Sequence, residues 1–573
     1  MAKTTKTAAI STSAKGKADA MPWLDHYPEQ VIWNDKLDPQ SLPDMFDEAV
    51  KAHGDRKCTN FLGAELTYRE IAGQVDRLAA GLQARGLGRG HRIGLFLPNA
   101  PYYVVAYYAI LKIGAVVVNF NPLYTIEELD IQARDAGVVA MITLDLKLLF
   151  DKIAALMDTG VLETAVVCPF TDILPPFTRV LFKLFKGKDI ADTHAPRSHG
   201  EIIHWADITN NDGKYEPAII KAAEDTALLQ YTGGTTGIPK GAMLSHANLT
   251  INVQQIIAWS SSLGLARERV MGILPFFHVF AMTTVLNFGV KTGSTMILMP
   301  KFELDQAIKL IRKHKPTILP GVPTLYNALL NHQGIKQEDL SSLKLCISGG
   351  APLPHEIRTR FEAFSGCKVV EGYGLSETSP VATVNPIVGL EKDSSIGQPV
   401  PQTHISIRSL EDPKKQMPQG ETGEICIKGP QVMQGYWNNS DATDAVMIGE
   451  YFRTGDVGYM DEFGFTYIID RIKDMINCSG YKVYPRRIED AIYQLDAIEE
   501  VTVIGIPDEY RGEAPKAFIK LKQGRDATAD EILTHLTSKI SKIEMPEEIE
   551  FRDELPKTMV GKLSKKELRE RTD

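Results

Sequence analysis

The sequence predicts an α/β protein: a large N-terminal region of layered α/β subdomains followed by a small C-terminal α+β domain. Three observations carry this prediction. Helical and strand patterns alternate along most of the chain, several apolar strand-like runs end in glycine-rich loops, and residues 475–573 have an α/β rhythm of their own. At 573 residues the chain exceeds a single core and suits several domain-sized units.

The elements follow in order. Residues 1–20 are rich in Ala, Ser, Thr and Lys without the apolar core of a signal peptide, and read as a disordered tail. Apolar residues recur at helical spacing over 41–50 and 68–87, where Ile71, Val75, Leu78, Ala79 and Leu82 share one side. Residues 92–97 read as a strand, followed by Pro98-Asn99-Ala100, a helix to Ile113 and a second strand over 114–119. Later strands are predicted at 227–230, 269–274, 343–348, 368–371, 501–506 and 517–521.

Composition excludes some classes of function. With 44% hydrophobic and 24% charged residues the chain reads as an ordinary globular protein. A net charge of -9 argues against nucleic acid as a partner. Six scattered cysteines without paired ligand spacing suit free thiols in a reducing cytoplasm. No run reaches the ~18 consecutive apolar residues that a membrane span needs. The segment 173–190 stands apart, because Val180-Leu181-Phe182-Lys183-Leu184-Phe185-Lys186 is short, apolar and basic. It reads either as an interfacial membrane element or as a surface loop that packs its Leu and Phe inward.

The densest motif is Tyr231-Thr232-Gly233-Gly234-Thr235-Thr236-Gly237-Ile238-Pro239-Lys240-Gly241. Glycines let successive N–H groups turn inward as an anion-binding nest, and threonine hydroxyls add donors to phosphate or reach a hydrated Mg²⁺. Lys240 follows proline and precedes glycine, so this is not a Walker A loop. After the loop, Ser245 or Asn248 can cap a helix.

Five further stretches bear candidate chemistry. Phe277 and His278 follow the strand at 269–274, where open α/β sheets place ligands. Gly349-Gly350-Ala351-Pro352 and Glu371-Gly372-Tyr373-Gly374-Leu375-Ser376-Glu377 close two successive strands. They read either as ordinary strand-to-loop turns or as a nucleotide site. In a nucleotide site Tyr373 stacks on a purine, Ser376 donates to the α-phosphate and Glu377 holds Mg²⁺. Asp456 on its own reads as a turn aspartate. The tail contains Pro556-Lys557-Thr558-Met559-Val560-Gly561-Lys562.

Taken together and in this order, these motifs resemble those of the adenylate-forming superfamily of acyl-CoA synthetases, luciferases and adenylation domains. The resemblance runs from about residue 47 to 569 and is strongest to bacterial long-chain fatty acyl-CoA ligases. It departs from the family pattern at Ser376, usually threonine, and at Ser564-Lys565-Lys566, more commonly Leu-Arg-Arg.

The resemblance implies an adenylation domain at 21–470, a hinge at 471–474 pivoting on Lys473, and a mobile lysine domain at 475–573. It implies ATP and CoA as co-substrates and Mg²⁺ on Thr232 and Glu377. The Gly/Thr loop, Lys240, Gly350–Pro352, Glu371–Gly374, Ser376, Asp456, Arg471 and Lys473 would then surround ATP or AMP, with Asp456 and Arg471 on the ribose. Phe277, His278, Gly349 and Leu375 would line the acyl site, with His278 gating it. Ser479, Gly480 and Tyr481 would form the CoA face, and Lys562 would be the catalytic lysine, alongside Glu377 and His278. The implied activity is fatty acid–CoA ligation through an acyl-adenylate, in the cytoplasm with peripheral contact at the inner membrane surface. Pocket depth cannot be read from sequence, so medium-chain, dicarboxylic and aryl substrates stay open, as does a homodimer. A carrier-loading enzyme is disfavoured because no carrier domain follows to Asp573, and a non-catalytic sensor because Lys562, Glu377 and Asp456 are all present.

Overall fold

Valine- and isoleucine-rich runs with little polar alternation bury both faces, which suits parallel strands covered by helices. The computed structural model describes residues 21–195, 199–232, 239–264, 267–557 and 563–569; the tail expected at 1–20 lies outside them. Strands Arg92–Phe96, Val116–Asn119, Val138–Leu144, Thr164–Cys168 and Thr226–Thr232 form the parallel centre of one sheet. A second sheet is centred on Arg269–Gly272, Thr295–Leu298, Ile318–Gly321, Leu345–Ser348 and Val369–Gly374, also parallel. The helix Pro101–Lys112 is buried along its whole length. Its Tyr103 hydroxyl donates to the Phe276 carbonyl at 3.0 Å, tying it to the segment that follows Arg269–Gly272.

A third, antiparallel sheet contains His404–Arg408, Gly423–Lys428, Tyr451–Met460 and Thr466–Arg471. Beyond it, Ile476–Cys478, Tyr481–Val483, Ile498–Asp508, Gly512–Leu521 and Glu548–Phe551 form a fourth sheet. Its core, which includes Ile476, Val483, Ile488, Val503 and Ile519, is separate from the large core of the preceding residues.

Most predicted elements lie within a few residues of their expected bounds, and three differ for physical reasons. Residues following the Gly/Thr loop form a strand, Lys240–Ser245, antiparallel to Thr226–Thr232, because Ala242 and Leu244 are buried against the sheet. Ser245 and Asn248 then cap the next helix reciprocally: Asn248 N–H donates to Ser245 Oγ at 3.0 Å and Ser245 N–H to Asn248 Oδ1 at 2.8 Å. Asp456 is not a turn residue. It lies within the strand Tyr451–Met460, in register with Arg471.

The third difference concerns 173–190, where the alternative of an inward-packed surface loop is overturned. Pro176–Lys186 is a helix with no buried residue. Phe177, Val180, Leu181, Leu184 and Phe185 follow i, i+3, i+4, i+7, i+8 spacing and all face outward, with Phe177 and Phe185 each 76% exposed. Phe182 alone turns in, with its ring 5.1 Å from that of Phe170.

Candidate active site

The parallel strands of the second sheet run in one direction, so the loops after them emerge side by side at one edge. Backbone must pass closely there. A Cβ at Gly374 would lie 1.7 Å from the Pro380 carbonyl oxygen, and Gly350 has a φ of +81°. These loops enclose a cavity of about 1090 Å³, including its solvent-open part. Its lining is mostly apolar and includes Ile256, Trp259, Leu274, Phe280, Ile347 and Val384. Its rim is made by Gly349, Gly350, Gly372, Tyr373, Leu375 and Ser376, and His278 also faces it. One space is thus bordered both by apolar side chains and by glycine backbone and hydroxyl groups.

Charged groups gather beside that rim. The Tyr373 hydroxyl donates to Asp456 Oδ2 at 2.5 Å, and Arg471 Nε donates to Asp456 Oδ1 at 2.9 Å. Burial and the neighbouring Asp456 carboxylate push the Tyr373 phenol well up, so it stays a donor at neutral pH. Glu377 is buried, and the turn Ser376–Thr378 that carries it packs on both strands of the Gly/Thr hairpin. Burial raises the Glu377 carboxyl, opposed by a 2.8 Å hydrogen bond from the Tyr436 hydroxyl. Thr232 and Lys240 face each other across the hairpin where the loop begins and ends.

The remaining candidates are placed as follows. Gly233, Gly234, Thr235, Thr236, Gly237 and Lys562 lie outside the described residues. Phe277 is buried beside the His278 ring, centroids 4.7 Å apart, but does not line the cavity; nor do Ala351 and Pro352. The Glu371 carboxyl also stays out of the cavity, accepting the Leu353 N–H at 3.2 Å, with Arg486 and Arg358 as its neighbouring cations. Lys473 is in the short turn Ile472–Asp474, its ammonium lowered by burial and by Arg471. Ser479 and Gly480 form a tight hairpin tip with φ of +52° and +86°, and Tyr481 is 65% exposed. Among the described residues no hydrogen bond or ion pair joins that tip to the nucleotide-type loops.

Sequence reasoning passed over Tyr436 and Trp259. Tyr436 is 59 positions from the carboxylate it contacts. Ile256 and Trp259 have helical i, i+3 spacing but no polar mark to distinguish a cavity wall from core.

The donor set fits a hard cation. Thr232 and Glu377 offer only oxygen, and no cluster of three or more His, Cys, Asp or Glu occurs among the described residues. A site with few protein ligands is what Mg²⁺ uses when phosphate supplies the rest.

Comparison with known proteins agrees with this geometry. Residues 46–437 match the family model described as AMP-binding enzyme, and 487–562 the AMP-binding enzyme C-terminal domain. The chain is 43% identical over 552 residues to the long-chain-fatty-acid–CoA ligase of Bacillus subtilis (strain 168), covering 96% of this chain and 98% of that one. It is 37% identical to the enzyme of the same name from Escherichia coli O6:H1, with 96% and 98% covered. The solved structure of the anthranilate CoA ligase AuaEII with anthranoyl-AMP superposes with a TM-score of 0.81 at 26% identity, covering 93% of this chain and 97% of that one.

The Glu371 environment yields a test. Burial raises its carboxyl from 4.5 to about 7. The native state therefore binds this proton more tightly than the unfolded chain, and stability is lost as pH rises from 4.5 through 7. Glu371→Gln keeps an acceptor for Leu353 without the charge. The variant is expected to match wild type in thermal unfolding at pH 5 and to exceed it at pH 8 by about 1–3 kcal/mol. A gap that does not grow with pH would contradict this placement.

Proposed function

The chain belongs to the AMP-binding enzyme family, and from that premise we propose that it is an AMP-forming fatty acid–CoA ligase that favours long chains. The observation that carries the proposal is a cavity lined by apolar side chains together with glycine loops and hydroxyls. Such a space suits a molecule apolar at one end and phosphorylated at the other, which is what an acyl-adenylate is. The ligases from B. subtilis and E. coli support the choice of fatty acid.

The chain is divided at its turn 471–474. Residues 21–470 form the adenylation domain, and 475–573, with a separate core, form the lysine domain. A fatty carboxylate is a poor acyl donor because oxide would have to leave. Its oxygen attacks the α-phosphorus of ATP, the bond to the β-phosphate oxygen breaks, and pyrophosphate departs. The CoA sulfur then attacks the acyl carbon, AMP leaves, and the thiol proton passes to solvent.

Both partners in the first step are anions, so the protein's task is neutralisation and alignment. Lys562 supplies positive charge between carboxylate and α-phosphate. Asp456 accepts from the ribose hydroxyls, Tyr373 offers its ring to the adenine, and Ser376 donates to the α-phosphate. Gly372 and Gly374 keep Cβ atoms out of the way. Thr232 and Glu377 would hold Mg²⁺, which when bound screens the phosphate charges. The apolar lining excludes water from the acyl chain, with His278 as its gate. After adenylation, rotation about Lys473 withdraws Lys562 and brings Ser479–Tyr481 to the CoA thiol.

No helix among the described residues is long and apolar enough to cross a membrane. The outward stripe on Pro176–Lys186 suits peripheral contact instead. Inserting a Phe or Leu side chain yields about 1.5–3 kcal/mol, and the exposed Lys183, Lys186 and Lys188 suit an anionic inner membrane surface.

Three outcomes are expected. AMP release with ATP, Mg²⁺ and CoA should peak at C12 or longer across straight-chain acids from C4 to C18, benzoate and a dicarboxylate. A maximum on benzoate or short acids would remove the long-chain reading and keep the chemistry. Lys562→Ala should lower adenylate formation by about 10²–10³-fold, as loss of an oxyanion-hole donor does, and spare thioester formation from supplied acyl-AMP. Equal loss of both steps would refute the role. Replacing Phe177, Leu184 and Phe185 with Ser should release the enzyme from anionic vesicles while leaving turnover of soluble substrate intact; unchanged sedimentation with vesicles would show that the stripe has another purpose.

A further inference from the structure

Tyr436 stands between two charged groups of opposite sign. Its short strand, Gly435–Tyr436, pairs antiparallel with the hairpin strand Lys240–Ser245, Tyr436 opposite Ala242. Its N–H donates to Thr443 Oγ1 at 2.9 Å, fixing the backbone from the far side. The Met433 N–H, three residues earlier, donates to the Glu377 carbonyl at 2.8 Å, so the two segments are joined by backbone as well. The Tyr436 side chain is buried, its hydroxyl donates to Glu377 Oε1 at 2.8 Å, and the Lys240 ammonium lies 5.4 Å from its ring centroid. Lys240 makes no ion pair within 4.0 Å among the described residues, and the buried Glu377 carboxylate is met by the hydroxyl of the same ring.

A buried carboxylate next to a lysine ordinarily collapses onto it, because attraction is strong where water is scarce. That collapse would take Glu377 away from any other cation. Here the ring offers Lys240 a cation–π contact, and the hydroxyl uses one carboxylate oxygen, the other making no hydrogen bond to another residue among the described residues. We infer that Tyr436 is a positioning residue for the cation-holding carboxylate: its hydroxyl orients Glu377, and its ring keeps Lys240 from neutralising it. The inference rests on the reading of Glu377 as a Mg²⁺ ligand.

The test measures metal binding directly, using full-length enzyme, Mn²⁺ and a non-hydrolysable ATP analogue, with free Mn²⁺ read by electron paramagnetic resonance. Tyr436→Phe keeps the ring and loses the hydroxyl. It should weaken Mn²⁺ binding about 5-fold, on the scale of one lost hydrogen bond, and raise the Mg²⁺ concentration for half-maximal AMP release while sparing the maximal rate. Tyr436→Leu loses both contacts and should weaken Mn²⁺ binding about 10–100-fold, on the scale of a hydrogen bond plus a cation–π contact. Melting temperature and metal-free affinity for the analogue should stay at wild-type values in Tyr436→Phe. Unchanged Mn²⁺ affinity in both variants overturns the inference. So does an equal fall in metal-free analogue affinity, which would mark Tyr436 as a structural support of the nucleotide pocket. Glu377→Gln separates the premise: wild-type Mn²⁺ binding there removes the metal role of Glu377 and the inference with it. Failure of the wild-type enzyme to release AMP would instead overturn the ligase reading.

Discussion

The Asp456 carboxylate joins the end of the parallel strand Val369–Gly374 to the antiparallel pair Tyr451–Met460 and Thr466–Arg471. One oxygen accepts the Tyr373 hydroxyl, at the end of the large parallel sheet; the other accepts Arg471, the last residue of the antiparallel sheet before the chain enters its C-terminal part. Asp456 itself is 4% exposed and belongs to the strand between them. A buried carboxylate needs partners on both oxygens, because an unpaired charge in this setting costs more than a lost hydrogen bond. The Tyr373 hydroxyl and the Arg471 guanidinium are therefore held by one group. In the proposed reaction the same carboxylate meets the ribose hydroxyls, which would enter an arrangement already ordered.

The cavity explains why the neighbouring carboxylates are treated differently. Glu377 and Asp456 lie where ligand charge would arrive, and each is held as an acceptor by tyrosine hydroxyls or a guanidinium. Glu371 lies six residues before Glu377, on the strand Val369–Gly374, yet it is directed to Leu353 and Arg486. Arg486 opens the helix Pro485–Ile492 of the C-terminal part. Its backbone N–H donates to Asp470 Oδ2 at 2.8 Å, and burial raises the Asp470 carboxyl to about 6. The boundary between the two parts is thus lined by carboxylates with weakened hold on their charge, a setting in which modest movement changes protonation.

The sequence revealed the layered α/β class, the separate C-terminal rhythm and the loops at strand ends, because these are local: periodicity, glycine and the order of motifs. Ser245 and Asn248 could be named as caps from their spacing alone. It was less informative wherever a residue's role depends on distant partners. Asp456 reads as a turn residue until Arg471 is seen opposite it in a strand. Tyr436 carries no motif of its own, and Phe277 and Glu371 belong to suggestive motifs whose side chains turn from the cavity. The segment 176–186 has a helical stripe, but nothing local says whether that stripe faces a core or water.

The tail shows how a single lysine can be delivered as a unit. Before the residues that contain Lys562, Lys557 pairs with Glu500 at 2.5 Å; after them, Lys565 pairs with Glu489 at 2.8 Å. Leu563 bridges back to Lys557, and Leu555 and Leu568 pack with Ile504 and Phe518. All of these anchors belong to the C-terminal part, so the flanks of Lys562 are fixed to that body and not to the adenylation side. Arg569 then pairs with Asp474 at 3.0 Å, next to the proposed pivot Lys473, where a rotation would cause little displacement. An anchor placed there can persist while the rest swings. Rotation of the whole part is the economical way to remove the charge of Lys562, which is the behaviour that a two-step ligase requires.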